Sequence, residues 1–182
     1  MKTELKLTTV FVAAITLLII GQIDYAEAAA YIKFDGIDGE AKDTTHQTWA
    51  DLLSFSHKIH KSSSGATDAQ RTRGETTLGD VVITREMDKA SPKLQEAVLR
   101  GMIFPMVQFE FASSDGATYL KYELKNVMIT SISTSGTADD RPMEEIALNF
   151  EEIKVTYTEY DPATKKKKGN VEYSWKVEEG ES

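Results

Sequence analysis

Two histidines, two pairs of adjacent carboxylates and a run of lysines are the places where this sequence could carry chemistry. His57 and His60 stand three apart. That spacing puts two metal ligands on one face of a helix but on opposite faces of a strand. Leu53, Phe55, His57 and Ile59 alternate with Ser54, Ser56, Lys58 and His60, so the segment reads as a strand and the pair cannot share a metal. Cysteine is absent, which removes disulfides, zinc–thiolate sites, iron–sulfur clusters and thiol nucleophiles. Glu144 with Glu145 and Glu151 with Glu152 are raw material for acid–base work. Neighbours on a strand face opposite ways, however, and neither pair can flank one scissile bond. No nucleophile elbow, phosphate-cradling loop or dinucleotide fingerprint surrounds any serine. Lys165 to Lys168, followed by Gly169-Asn170, reads as a solvated hairpin tip, with a phosphate or anionic-lipid contact as the alternative. The sequence therefore predicts no enzyme, no metal and no cofactor. The formal charge of -8 over 182 residues repels polyanions and argues against a nucleic-acid partner.

The elements that would position these residues are mostly strands. Tyr31 to Phe34 is a short strand closed by Asp35-Gly36 and Asp38-Gly39. A polar stretch from Glu40 to Thr48 precedes the His57 strand, and Lys61 to Thr77 reads as a long loop rich in Ser, Thr, Gly and charge. After a strand around Val81 to Ile83 comes one helix signal: Ser91 as N-cap, Pro92 in the first turn, and Leu94, Ala97, Val98 and Gly101 on one face. Val107, Phe109 and Phe111 alternate with polar residues, Asp115-Gly116 makes a hairpin turn, and Leu120, Tyr122 and Leu124 run on into Val127 and Ile129. A polar loop from Thr134 to Arg141 leads to Ile146, Leu148 and Phe150. Ile153, Val155 and Tyr157 then occupy the opposite parity, which predicts a β-bulge near Glu151-Glu152. Asp161 to Asn170 is a hairpin tip, and Val171, Tyr173, Trp175 and Val177 close the sheet. The fold class is mainly β: an antiparallel β-barrel of two packed sheets with one flanking α-helix and a long extended loop.

Residues 1–28 carry the marks of a secretory signal peptide, which leaves 29–182 as the single folded domain. Lys2 and Lys6 form the basic start, and Leu7 to Ile20 is apolar but for three threonines. As a helix that stretch spans roughly 21 Å, short of a ~30 Å hydrocarbon core. Ala26-Glu27-Ala28 supplies the small residues of a cleavage site before Ala29. Removal takes two lysines and three acids and leaves the charge strongly negative, with no membrane association expected after signal removal.

Several segments, taken in order, resemble the hemolysin-coregulated protein (Hcp) family, the tube subunits of the type VI secretion system. Tyr31-Ile32-Lys33-Phe34 with Gly39 to Asp43 and Thr45-His46 is similar to the family's first strand and turn. Asp88-Lys89-Ala90-Ser91-Pro92 resembles the opening of its helix. Val127 to Gly136, Glu144 to Tyr157 and Gly169 to Trp175 resemble later strands and the last hairpin. The resemblance implies a hexameric ring that stacks into the injected tube, effector proteins carried in its lumen, and a trimeric spike protein and contractile sheath as partners. Lys61 to Thr77 would be the extended loop used in ring and tube contacts. The leader departs from the family pattern, since members are normally made in the cytoplasm without one, and Met87 is the first methionine after Met1. Arg71, Arg73 and Glu75 in one loop, with Asp139, Asp140 and Arg141 in the other, are the candidate subunit-interface residues. A monomeric secreted or periplasmic binding module and a hydrolase built from scattered residues are the competing readings.

Overall fold

The computed structural model describes residues 29–64 and 72–177. The predicted signal peptide lies outside the described residues. Nine strands, β1 (Ala29–Phe34), β2 (Ala50–Asp51), β3 (Ser54–Ser64), β4 (Thr72–Glu86), β5 (Ile103–Ala112), β6 (Thr118–Ser135), β7 (Met143–Asn149), β8 (Glu152–Tyr160) and β9 (Lys167–Lys176), accompany one helix, α1 (Ser91–Arg100), among the described residues. The strands form one antiparallel sheet in the order β2-β1-β5-β6-β7-β4-β3, with β8 on β6 and β9 on β8. The mainly β, antiparallel, one-helix reading holds. Closure does not: among the described residues β3 and β9 each keep an unpaired edge, so the barrel is open and one bent sheet supplies both layers. Strand β9 ends the sheet rather than closing it.

The bend is written in a three-residue spacing that recurs on adjacent strands. Val107 and Phe104, Leu124 and Val127, and Ile153 and Phe150 are all buried, although each pair has opposite parity. Leu124 lies across from both Val107 and Ile153, and Phe104 from Val127, so the parity change falls at one level of the sheet. Asn126 takes φ 50 there, its amide donates to Glu151 Oε2 at 2.6 Å, and the Glu151 N–H donates to Lys125 O. The bulge expected near Glu151-Glu152 is therefore a kink. Lys125 pairs with Glu152 and Met128 with Asn149, leaving two residues on each strand between those pairs and no insertion. The true irregularity lies at Thr130, between Ile129 and Ser131. Its hydroxyl donates to Asp80, which also accepts from Asn149.

Above the bend β7, β4 and β3 fold back across β5 and the first half of β6. The ring of Phe55 on β3 meets Phe109 at 5.1 Å and Tyr122 at 4.8 Å. The core of Ile32, Phe34, Val81, Ile83, Phe109, Ile146 and Leu148 fills the space between, and Leu94 and Ala97 of α1 pack into the same core.

Three local expectations change. The described part of Lys61 to Thr77 is paired backbone rather than loop, with Lys61 across from Thr76, Ser63 from Arg73 and Ser64 from Thr72. A two-stranded ribbon has little to bury, so it leaves no apolar alternation in the sequence. Ser91 is the first helical residue rather than the N-cap, and its hydroxyl is buried in a polar network. Gly101 is exposed at the helix end, where φ 61 lets its N–H reach Ala97 O and Val98 O. Strand β2, two residues long, left no readable pattern.

Candidate functional site

The residues suspected of chemistry do not converge on one site among the described residues. His57 and His60 face opposite ways, as the strand reading requires. His57 is half-buried with its ring 5.6 Å from Phe150, and burial pushes its pKa down. His60 is exposed. Among the described residues no group of His, Cys, Asp or Glu is placed to hold a metal, and no helix is long and apolar enough to cross a membrane. Glu145 is exposed while its neighbour Glu144 is fully buried. Glu151 accepts from Asn126, and Glu152 pairs with Lys125 at 2.8 Å. At the β8–β9 tip Lys165 meets Asp115 at 3.4 Å and Lys168 meets Glu159 at 3.4 Å, so the basic run is partly neutralised by its own hairpins.

Two polar clusters hold the loops in place. Arg85 on β4 and Glu144 on β7 are cross-strand partners, both with fully buried side chains, with Nε 2.8 Å from Oε1. Arg85 Nη2 also donates to Asp88 and, at 3.4 Å, to the Ser91 hydroxyl, which donates to Glu144 at 3.0 Å. Asp88 accepts from the N–H of Ala90 and of Glu40, so one network ties two strands, the start of α1 and the first loop. Burial raises the pKa of Glu144, opposed by the Arg85 charge and the Ser91 hydrogen bond. Sequence reasoning missed this pair, yet a signal existed. Arg85 continues the buried parity of Val81 and Ile83, and Glu144 that of Ile146 and Leu148.

His46 forms the second cluster. Its ring stacks on Tyr31 at 4.0 Å and meets Trp49 edge-on at 5.1 Å. Nδ1 lies 2.7 Å from Asp43 and Nε2 lies 3.1 Å from Glu110, pinning the 35–49 loop to β5. Thr45 and His46 together hold the Asp43 carboxyl down to about 2, the Thr45 hydroxyl being the larger influence. Gly39 is needed in this loop because a Cβ there would run into the Trp49 carbonyl and stand 2.8 Å from Ala50 Cβ.

What remains exposed is suited to contact rather than catalysis. Leu99, 87% exposed, adjoins Met102, Ile103 and Met128 at the end of α1, and Ile103 lies across from Met128. Tyr157, Val171 and Tyr173 lie bare along β8 and β9, where Tyr157 pairs with Val171. Among the described residues β3 and β9 each offer a free strand edge. Asp139, Asp140 and Arg141 are exposed on the loop before β7, with Arg141 3.6 Å from Glu86. Arg71 lies outside the described residues, as do the side chains of Arg73 and Glu75. The backbone at Arg73 pairs with Ser63 near the start of β4, while Glu86 at its end pairs with Met143. The backbone at Arg73 and the 136–142 loop thus lie towards opposite ends of β4, at most about 43 Å apart at ~3.3 Å per residue.

A family model described as "Type VI secretion system effector, Hcp" matches residues 31–157. Protein hcp1 of Pseudomonas aeruginosa is 29% identical over 151 residues, covering 81% of this chain and 93% of that protein. A solved structure of a type six secretion system protein aligns with TM-score 0.79 at 27% identity, over 85% of this chain and 98% of that one. A type VI secretion system effector from Yersinia pestis aligns with TM-score 0.65 at 26% identity, over 81% and 99% of the two chains.

Proposed function

This chain belongs to the Hcp family of type VI secretion proteins, and from that premise we propose that six copies close into a ring and that the rings stack into the injected tube. It is a structural secretion protein, not an enzyme. The observation that carries the proposal is the separation of the β3–β4 ribbon from the 136–142 loop along β4. A subunit that stacks head to tail needs two different contact surfaces at opposite ends, and a closed ring needs heterologous contacts around its side. The bare apolar residues at the end of α1 and along β8–β9 are separate patches that suit the second requirement. Charged groups on the 136–142 loop, Asp139, Asp140 and Arg141, then set register between rings, and Arg71, Arg73 and Glu75 of the next ring are their partners. The lumen carries effector proteins, and the stack meets the spike and sheath at its end and outer wall. Residues 1–28 act as a leader that is removed, so the working chain is 29–182.

Sedimentation velocity of residues 29–182 over a wide concentration range tests this. Six-copy particles are expected, growing to stacks as concentration rises. A monomer at every concentration and ionic strength overturns the proposal and leaves a monomeric binding module in its place.

A further inference from the structure

A cleft of about 240 Å³ lies between the β5–β6 turn and the β8–β9 tip. Tyr119, Tyr157 and Tyr160 line it with Asp115, Asp161 and Lys165, and serines, a threonine, an alanine and a proline complete the wall. The strand core draws on none of these side chains. Its aromatic side is held in place. The Tyr160 hydroxyl donates to Thr118 O at 3.0 Å, and the Tyr119 and Tyr157 rings meet at 6.3 Å with 70° between their planes. Rings set so steeply cannot form the parallel slot that sandwiches a flat base. They offer single faces, and Tyr157 remains 50% exposed. The polar side carries matched charges. Oδ1 of Asp115 accepts from the Ser113 hydroxyl and the Ala117 N–H, and Oδ1 of Asp161 from the N–H groups of Ala163 and Thr164. These turn contacts hold both carboxyls below the ordinary carboxylate range, so both stay ionised. Oδ2 of Asp115 lies 3.4 Å from Lys165 Nζ, and Oδ2 of Asp161 lies 3.9 Å from Lys168 Nζ. Both distances exceed the ~2.8 Å of a tight charge-assisted hydrogen bond, which leaves room for another donor. Lys165 takes φ 58, and its N–H donates to Asp161 O at 2.8 Å. That bend in the tip directs the ammonium group across the cleft to Asp115.

We propose that this cleft binds one ring of a neutral saccharide, a pyranose with equatorial hydroxyls. Size, charge and shape each point that way. A cavity of ~150 Å³ holds a benzene, so this one has space for a six-membered ring together with its hydroxyls. Each lining carboxylate has an ammonium group beside it, which favours neither an anion nor a cation as guest. A purely apolar guest would strip water from those charged groups and return no hydrogen bond. A sugar hydroxyl can donate to a carboxylate and accept from an ammonium group at once. A pyranose whose hydroxyls are equatorial also keeps axial C–H bonds on its face, and these pack on the face of a tyrosine ring. The site does not depend on ring formation by the protein.

Saturation-transfer NMR on the full chain tests this, with cellotriose and chitotriose as the sugars and choline and methyl phosphate as the charged probes. Tyr157 is shared with the bare β8–β9 patch, so the protein is kept at the lowest concentrations of the sedimentation series, where it is unassembled. Transfer to the ring C–H protons of at least one sugar is expected, saturating in the millimolar range, with little to either charged probe. Tyr119→Leu should weaken sugar binding about fivefold, the factor for losing ~40 Å² of apolar contact. Lys165→Asn keeps a residue that tolerates the left-handed backbone but cannot span the cleft, and it should weaken binding several-fold. That second variant, on the exposed tip, decides the matter should Tyr119→Leu fail to fold. Lys93→Ala, on the exposed face of α1, is the control and should bind as the unsubstituted chain does. Transfer to neither sugar, equal transfer to choline or methyl phosphate, or sugar binding that Lys165→Asn and a folded Tyr119→Leu leave unchanged each overturn the proposal.

Discussion

The buried pair of Arg85 and Glu144 gives the sharpest stability test. At 2.8 Å and an effective dielectric of ~20 the gross attraction is about 6 kcal/mol, and taking both ions from water costs several kcal/mol each. The intact pair is thus worth little, but breaking it is expensive. Glu144→Leu leaves the Arg85 charge buried, and such a loss costs about 3–5 kcal/mol. Asp88 still holds Nη2, which places the expected cost near the lower end, about 3 kcal/mol. In a domain of this size that is a fall in Tm of about 6–12 °C. The double change Arg85→Met with Glu144→Leu removes both charges and should recover most of the loss. Urea unfolding of residues 29–182 at one fixed protomer concentration, for all four members of the cycle, reads the coupling directly. Should the single substitution cost less than about 1 kcal/mol, or the double cost as much as the two singles summed, the two charges are not buried against each other and the reasoning fails.

The same geometry sets further expectations for pH, packing and assembly. Burial holds the Glu144 carboxyl above its ordinary 4.5; that contribution is full below the unfolded value and lost as pH rises through the raised folded one. Glu144→Gln should flatten this part of the stability–pH curve, and an unchanged slope counts against it. Asp43, held down to about 2, behaves oppositely: its contribution is present above the ordinary carboxylate range and lost as pH falls through about 2. A carboxyl titration by NMR should show that midpoint, and Thr45→Val should move it up. Gly39→Ala forces a Cβ into the Trp49 carbonyl and should destabilise by about 1–3 kcal/mol, read by thermal unfolding. Gly169→Ala, whose Cβ meets nothing within 4 Å, is the matched control and should be nearly silent. Asp139→Lys with Asp140→Lys should leave rings intact but shift the onset of stacking to at least tenfold higher concentration in sedimentation.

Regular alternation was legible wherever one face of a strand is buried. Val107, Phe109 and the run through Leu124 fall where the pattern placed them, because a half-buried strand must sort its side chains by parity. The ribbon of β3 and β4 was illegible for the complementary reason, since Lys61 and Thr76 pair through backbone with little to bury. The parity change at Phe150 to Ile153 was visible, but one strand alone cannot distinguish a bulge from a kink. That distinction needs the matching step at Leu124 to Val127 on the neighbour. Arg85 and Glu144 were readable only as charges in buried parity, and His46 was noticed for its family likeness rather than its contacts. Its partner Glu110 lies 64 residues away, a pairing that no local pattern encodes. The open edge at β9 was hidden because Val171 and Tyr173 carry the same alternation as an interior strand.

Electron cryomicroscopy of concentrated residues 29–182 would show whether the chain joins copies of itself end to end. Six-membered rings in stacks are expected, with the β3–β4 ribbon of one ring against the 136–142 loop of the next. Discrete single particles, or rings whose contacts leave both of those elements in solvent, would rule this assembly out.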